Sequence, residues 1–147
     1  MLAGTGAAGA AAPAPPPCQP RHVTVAGHPA IRFCGPATVV ISAGGHTYRF
    51  SGGLCERSAT IDGLELEVGT LVRGAHGNGG RSFVSLVIAA SPSESEAFEA
   101  YSGGRQLFGD SVVAPGGRLI SRGTFSGLFG AAFSGSWNCH GVVYDGR

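Results

Sequence analysis

The stretch Phe133-Ser134-Gly135-Ser136-Trp137-Asn138-Cys139 decides the fold class of this chain. Side chains of a β-strand alternate between its two faces, so Phe133, Trp137 and Cys139 share one face, and the two serines and the asparagine share the other. This pattern predicts a strand with one buried face and one wet face. A cysteine on the buried face, beside a tryptophan, is placed for a disulfide bond across the core.

The four cysteines predict an oxidised domain. They are Cys18, Cys34, Cys55 and Cys139, and no CxxC pair of the metal-binding type occurs. An even number of cysteines in a short chain is typical of exported proteins. Of the three possible pairings we expect Cys18 with Cys34, because they flank the first hairpin with little chain between them. That leaves Cys55 and Cys139 for a long-range bond between the first half of the fold and its last strand.

Composition excludes several classes of partner. The chain has 147 residues, of which 13% are charged, and its net charge is +1. Its ten basic residues are all arginines, scattered singly, so no basic stripe exists for nucleic acid or an anionic membrane surface. The lack of lysine, with abundant alanine, glycine and arginine, suggests an actinobacterial source. The 26 glycines indicate many tight turns and short strands.

The first seventeen residues, MLAGTGAAGAAAPAPPP, carry little side-chain bulk and are expected to be disordered. Ala8-Gly9-Ala10 is similar to the small-residue end of a secretory signal peptide, although a basic region is missing. We interpret 1–17 as a signal-peptide remnant or a linker, and 18–147 as one domain. No run of apolar residues is long enough for a transmembrane span.

Short alternating runs separated by glycine-rich turns predict an all-β fold. Two hairpins are expected, one around Gly27-His28-Pro29 and one around Ala43-Gly44-Gly45, and 82–90 has the continuous apolar character of a strand covered on both faces. About eight short strands at this spacing favour an antiparallel β-sandwich. The expected strands lie at 22–26, 30–34, 37–42, 46–50, 64–68, 82–90, 111–114, 118–125 and 132–139.

One segment has helical signals. Ser91-Pro92-Ser93-Glu94 is a capping box with proline at the first helical position, and Gly103 supplies a stop. Phe98 and Tyr101 then fall on one face. The spacing predicts a short amphipathic helix over 92–102 that packs on the sandwich.

The motifs of catalysis and metal binding do not fit their contexts. Gly4-Thr5-Gly6-Ala7-Ala8-Gly9 matches the dinucleotide fingerprint, but no strand precedes it and prolines follow. No GxSxG elbow occurs, but a Ser-His-Asp triad assembled from distant parts of the chain remains an alternative. We therefore expect no catalytic, cofactor-binding or metal-binding residues, and no cofactor. None of the five histidines pairs with another at ligand spacing; they are His22, His28, His46, His76 and His140.

In two regions the pattern of buried positions is weakest, and we expect these regions to be contact surfaces. One is the turn 74–80, which contains His76 and Asn78. The other is the expected helix, which presents Glu94, Glu96 and Glu99 to solvent. On a capped helix such carboxylates form a solvated face more often than an acid–base pair.

The order of features from Val39 to Cys139 resembles the mycobacterial lipoprotein antigen family called LpqH-like. The similar elements are Gly44-Gly45-His46-Thr47-Tyr48, Ser51-Gly52-Gly53-Leu54-Cys55, Leu64-Glu65-Leu66-Glu67-Val68-Gly69 and the last strand closing on Cys139. The resemblance implies an exported, envelope-associated or secreted β-domain with one long-range disulfide and no known enzymatic activity.

The sequence thus predicts an exported, extracellular or cell-envelope domain that acts by binding or surface presentation and is not an enzyme. Its partner is expected to be an unknown protein or envelope component, not nucleic acid, and the domain is expected to be a monomer. The alternatives are a small secreted hydrolase with an unrecognised site, which would have a deep polar pocket, and a protease-inhibitor-like module that presents a loop.

Overall fold

A computed structural model of the chain describes residues 18–60, 62–73, 82–89, 98–102, 105–109, 112–113, 121–129 and 131–145. These residues form thirteen β-strands and no helix. The strands are β1 Arg21–Val25, β2 His28–Arg32, β3 Thr38–Ala43, β4 His46–Ser51, β5 Gly53–Arg57, β6 Gly63–Val72, β7 Phe83–Ala89, β8 Phe98–Ser102, β9 Arg105–Gly109, β10 Val112–Val113, β11 Arg122–Phe129, β12 Ala131–Asn138 and β13 Val143–Asp145.

Nine of these strands form one sheet, built around the long strand β6. Its main order is β1-β2-β6-β7-β8-β9, and one edge of β6 pairs first with β5 and then with β2. Gly69 lies between these two partners with a φ of +100°, and its N–H donates to the carbonyl of Gly52 at 3.0 Å. A side chain there would collide with the Ser82 carbonyl oxygen, so the position requires glycine. β10 and β13 join β7 and β5 in parallel.

The other four strands form a second sheet in the order β11-β12-β3-β4. All its pairs are antiparallel, and β12 lies beside β3 although nearly a hundred residues separate them in the chain. One buried cluster takes residues from both sheets, including Val39, Ile41 and Trp137 from the smaller sheet and Leu66 and Leu86 from the larger. The two sheets therefore share one core.

Both predicted disulfide bonds are confirmed. Cys55 and Cys139 have Cα atoms 5.7 Å apart and both are fully buried, so this bond joins the two sheets within the shared core. Cys18 and Cys34 have Cα atoms 5.9 Å apart and close the base of the β1–β2 hairpin. Two disulfides indicate an oxidising environment.

The all-β class, both hairpins and the doubly covered strand are confirmed. β7 is buried at six of its seven positions, as its continuous apolar run predicts. Thirteen strands replace the nine expected segments, because β5, β9 and β13 carry too few alternating positions to stand out and β8 was expected to be helical. The two parallel pairs also depart from a purely antiparallel fold.

The prediction of a helix is wrong over Phe98–Ser102, which forms strand β8. Tyr101 pairs with Phe83 of β7, and their rings lie 6.5 Å apart. Ala100, on the opposite side of β8, is fully buried in the core. Pairing with β7 thus overrides the local helical signal. The rest of the predicted helix, 92–97, lies outside the described residues.

The turn between β1 and β2 leads to a prediction about the stability of the domain. Ala26 has a φ of +49° and Gly27 a φ of +80°, the backbone of a two-residue type I′ hairpin turn. Alanine is unfavourable in this left-handed region. We expect Ala26→Gly to raise the free energy of unfolding by about 0.5 kcal/mol, measured by chemical denaturation, because the strain removed exceeds the added entropy of the unfolded chain.

The matched control is Ala43→Gly, at the end of strand β3, where φ is not positive. The same replacement there should lower the free energy of unfolding, since glycine weakens strands. Destabilisation by Ala26→Gly would contradict the assigned turn.

Candidate functional site

The outer face of the four-stranded sheet carries an array of polar side chains. We call this array the polar face. Strand alternation produces it, because Val39, Ile41 and Trp137 point into the core and their neighbours along each strand point outward. Its members are Thr38, Ser42, Thr47, Arg49, Ser51, Arg122, Thr124, Ser134, Ser136 and Asn138.

Register brings these side chains together across four strands. Ser134 lies beside Ser42, and Asn138 lies beside Thr38. Side chains directly opposite each other on neighbouring strands have Cβ atoms about 5 Å apart, so one extended ligand can contact several of them. Seven of the ten members are exposed and three are half-buried. In the two rows that cross the middle of this face, the one apolar residue is Val40.

Charge is unevenly divided between the two sheets. The polar face has two cations, Arg49 on edge strand β4 and Arg122 on edge strand β11, and none of its described positions is acidic. The six described carboxylates all lie on the nine-stranded sheet or in the loop between β5 and β6. They are Glu56, Asp62, Glu65, Glu67, Glu99 and Asp145. The polar face is therefore suited to an anionic or hydroxyl-rich ligand.

An open groove of about 430 Å³ continues the polar face over the end of the sheet. Ser42, Thr47 and Ser134 line one side of it. His46 and the half-buried ring of Phe133 line it from the inner-face positions of their strands. The groove thus offers hydroxyl groups, an imidazole and an aromatic surface, which is the mixture of apolar and polar groups found in small-ligand sites.

The opposite end of the polar face meets a tight turn. His140 has a φ of +52°, and its backbone N–H donates to Oδ1 of Asn138 at 2.7 Å. Its Nε2 lies 3.1 Å from Oγ1 of Thr38, and either atom donates depending on the tautomer. The carbonyl of Cys139 accepts from Val142 N–H at 3.2 Å, which completes the turn from β12 to β13. These bonds hold Thr38 and Asn138 in fixed positions.

Four glutamates share the outer face of the nine-stranded sheet, which we call the acidic face. Glu56 lies directly beside Glu65, and Glu67 and Glu99 flank Ser85 on its two sides. The hydroxyl of Ser85 donates to Glu67 Oε1 at 3.1 Å. Carboxylates this close repel one another when ionised, and the repulsion favours the protonated form of the most buried one.

The carboxyl whose protonation is affected most is that of Glu67. The pKa of its carboxyl is raised from 4.5 to about 7, chiefly by burial and further by the charges of Glu65, Glu99 and Glu56, while the hydrogen bond from Ser85 acts in the opposite direction. A carboxyl with this pKa exchanges its proton near neutral pH. The acidic face therefore changes charge close to physiological pH.

Tyr101 stands at the β8 side of the acidic face. Its hydroxyl donates to Glu99 Oε2 at 3.0 Å and accepts from Gln106 Nε2 at 2.7 Å. Burial, and then the neighbouring Glu99 carboxylate, raise the pKa of the Tyr101 hydroxyl. Tyr101 therefore stays neutral and holds Glu99 in place.

Of the contact residues expected from sequence, Glu99 lies on strand β8 within the acidic face and not on a helix. His76, Asn78, Glu94 and Glu96 lie outside the described residues. Within the described ranges, no three His, Cys, Asp or Glu side chains are grouped to hold a metal ion. The same ranges contain no helix long and apolar enough to cross a bilayer.

The polar face was not among the expected contact regions. Its partial signal was the run of Ser134, Ser136 and Asn138 on one side of β12. Comparison with protein-family profiles, curated proteins and solved structures finds no match to this chain.

Proposed function

We propose that this chain is an exported, non-catalytic binding module that engages its partner through the polar face. The observation that carries this proposal is the polar array on the smaller sheet, which has no carboxylate at its described positions and is continued by the groove beside Phe133. The buried bond Cys55–Cys139 supports function in an oxidising compartment, because it ties the scaffold of this face to the other sheet.

The proposed architecture is a disulfide-stapled β-sandwich, with the polar face and the acidic face as its two outer surfaces. Cell-envelope or extracellular localisation, and kinship with LpqH-like lipoprotein antigens, form part of the same proposal. A rigid sheet is a suitable platform for binding, because its side chains keep fixed spacings when a ligand arrives.

The first experiment locates the chain and maps its binding surface. In the cells that produce it, we expect the protein in the medium or the envelope fraction with both disulfides oxidised. Immobilised domain should retain envelope material, quantified by a binding isotherm. The paired replacements Ser42→Glu and Ser134→Glu, on neighbouring strands of the polar face, should weaken that binding at least tenfold.

The control carries the same charge change elsewhere, as Thr24→Glu with Thr60→Glu, both at exposed positions outside the polar face. It should bind like the unmodified domain. Recovery of the chain reduced from the cytoplasm, or equal loss of binding in both double variants, would refute the proposed function.

A further inference from the structure

We infer that the ligand of the polar face is a linear polysaccharide that carries carboxylate groups. This inference rests on the proposed function and adds the chemical class of the partner. Three observations support it: the composition of the polar face, the positions of its two arginines and the segregation of acidic residues onto the other sheet.

The composition favours a glycan over a protein. Protein interfaces depend on buried aromatic and apolar anchors at their centre. The two central rows of the polar face instead carry Ser42, Ser134 and Ser136, with Val40 as the one apolar residue within those rows. Each hydroxyl both donates and accepts a hydrogen bond, which matches the dense hydroxyl groups of a sugar chain. Phe133, at the groove, adds a surface for the apolar side of a sugar ring.

The arginines favour an extended, acidic ligand. Arg49 and Arg122 lie on opposite edge strands, separated by three strand spacings, or about 14 Å. The two arginines are also offset by two residues along the strand direction. Arg122 is aligned with Asn138, whereas Arg49 is aligned, through Val40, with Ser136. A single sugar cannot bridge this distance. A polymer with spaced carboxylates can pair with both guanidinium groups, each of which holds a carboxylate in a bidentate fork.

The charge distribution supports the same class of ligand. The described carboxylates lie off the polar face, so none of them competes for its arginines or repels an anionic chain there. A net charge of +1 provides no strong field for a densely charged polyanion such as nucleic acid. Two separated arginines among hydroxyl groups instead suit a chain with modest, regular charge.

The test uses the full oxidised chain and polygalacturonate as the probe, with isothermal titration at moderate salt. We expect saturable binding that is at least tenfold weaker for carboxyl-reduced polygalacturonate. Replacing Arg49→Gln and Arg122→Gln together should weaken binding of polygalacturonate at least tenfold. Arg49→Lys with Arg122→Lys keeps the charge but loses the fork, and should weaken it by a smaller factor.

The matched control is Arg21→Gln with Arg32→Gln, an exposed cross-strand pair on the β1–β2 hairpin that removes the same charge. It should change binding less than threefold, and thermal unfolding should confirm that every variant folds. Equal losses in both Gln double variants, or equal binding of polyglutamate, would overturn the inference. If envelope material binds through the polar face but polygalacturonate does not, the glycan inference fails and the proposed function stands.

Discussion

Replacing Cys55 and Cys139 together with alanine is expected to lower the free energy of unfolding by about 4 kcal/mol. The bond spans a sequence separation of 84 residues, so its loss frees a large part of the unfolded chain and increases that chain's conformational entropy. Both sulfur atoms also lie in the fully buried core, where their removal leaves unfilled space. Chemical denaturation of the oxidised protein measures the change.

The matched control is the pair Cys18→Ala and Cys34→Ala. This bond closes a sequence separation of only 16 residues at an exposed hairpin base, so its loss should cost about 3 kcal/mol or less and leave the shared core intact. A larger loss from the Cys18–Cys34 pair than from Cys55–Cys139 would contradict the assignment of the second bond as the connection between the two sheets.

The sequence predicted those parts of the fold that depend on local pattern. Alternation in the run that contains Trp137 identified a strand with one buried face, and Trp137 is 2% exposed. The turn residues Gly27 and Gly45 marked two hairpins, because positive φ at these sites favours glycine. The cysteine pairing followed from the hairpin that separates Cys18 from Cys34, and it is confirmed.

The helix prediction failed because local spacing cannot show which partner a segment meets. Phe98 and Tyr101 have helical spacing, but Glu99 and Tyr101 also alternate with Ala100. The alternation prevails because β7 offers a free edge at Phe83 to Ser85, and pairing with it buries Ala100 completely. The energy of burying Ala100 and stacking Tyr101 on Phe83 comes from contacts that are distant in sequence.

The polar face could not be predicted from the sequence, for a related reason. Each strand revealed its own wet side, but the face exists only because β12 inserts between β3 and β11 in one register. A shift of one residue would place Ser42 beside a core side chain of β12 instead of Ser134. Likewise, the raised pKa of Glu67 depends on Glu56 and Glu99, which reach it from two other strands.

The second large prediction concerns the acidic face: we expect the stability of the domain to depend on pH. In the unfolded chain the pKa of the Glu67 carboxyl is near 4.5, and in the folded domain it is about 7. Between these values the folded state holds a proton that the unfolded state releases, so the free energy of unfolding falls as pH rises through this window. We expect this group alone to lower stability by about 2 kcal/mol between pH 5 and pH 8.

Glu67→Gln should remove this dependence. Glutamine keeps an oxygen that can accept the hydrogen bond from Ser85, but it adds no charge beside Glu65, Glu99 and Glu56. The variant should therefore match the unmodified domain near pH 5 and exceed its free energy of unfolding by about 2 kcal/mol at pH 8. Denaturant titrations at closely spaced pH values measure both curves.

The control is Glu56→Gln, which removes the same charge from the same face but contributes least among the three neighbouring carboxylates to the raised pKa of Glu67. It should retain most of the fall in stability between pH 5 and pH 8, with the midpoint moved slightly to lower pH because one repelling charge is gone. If Glu67→Gln and the unmodified domain lose stability in parallel over this range, another group must carry the titration, and the buried carboxyl on β6 is not its source.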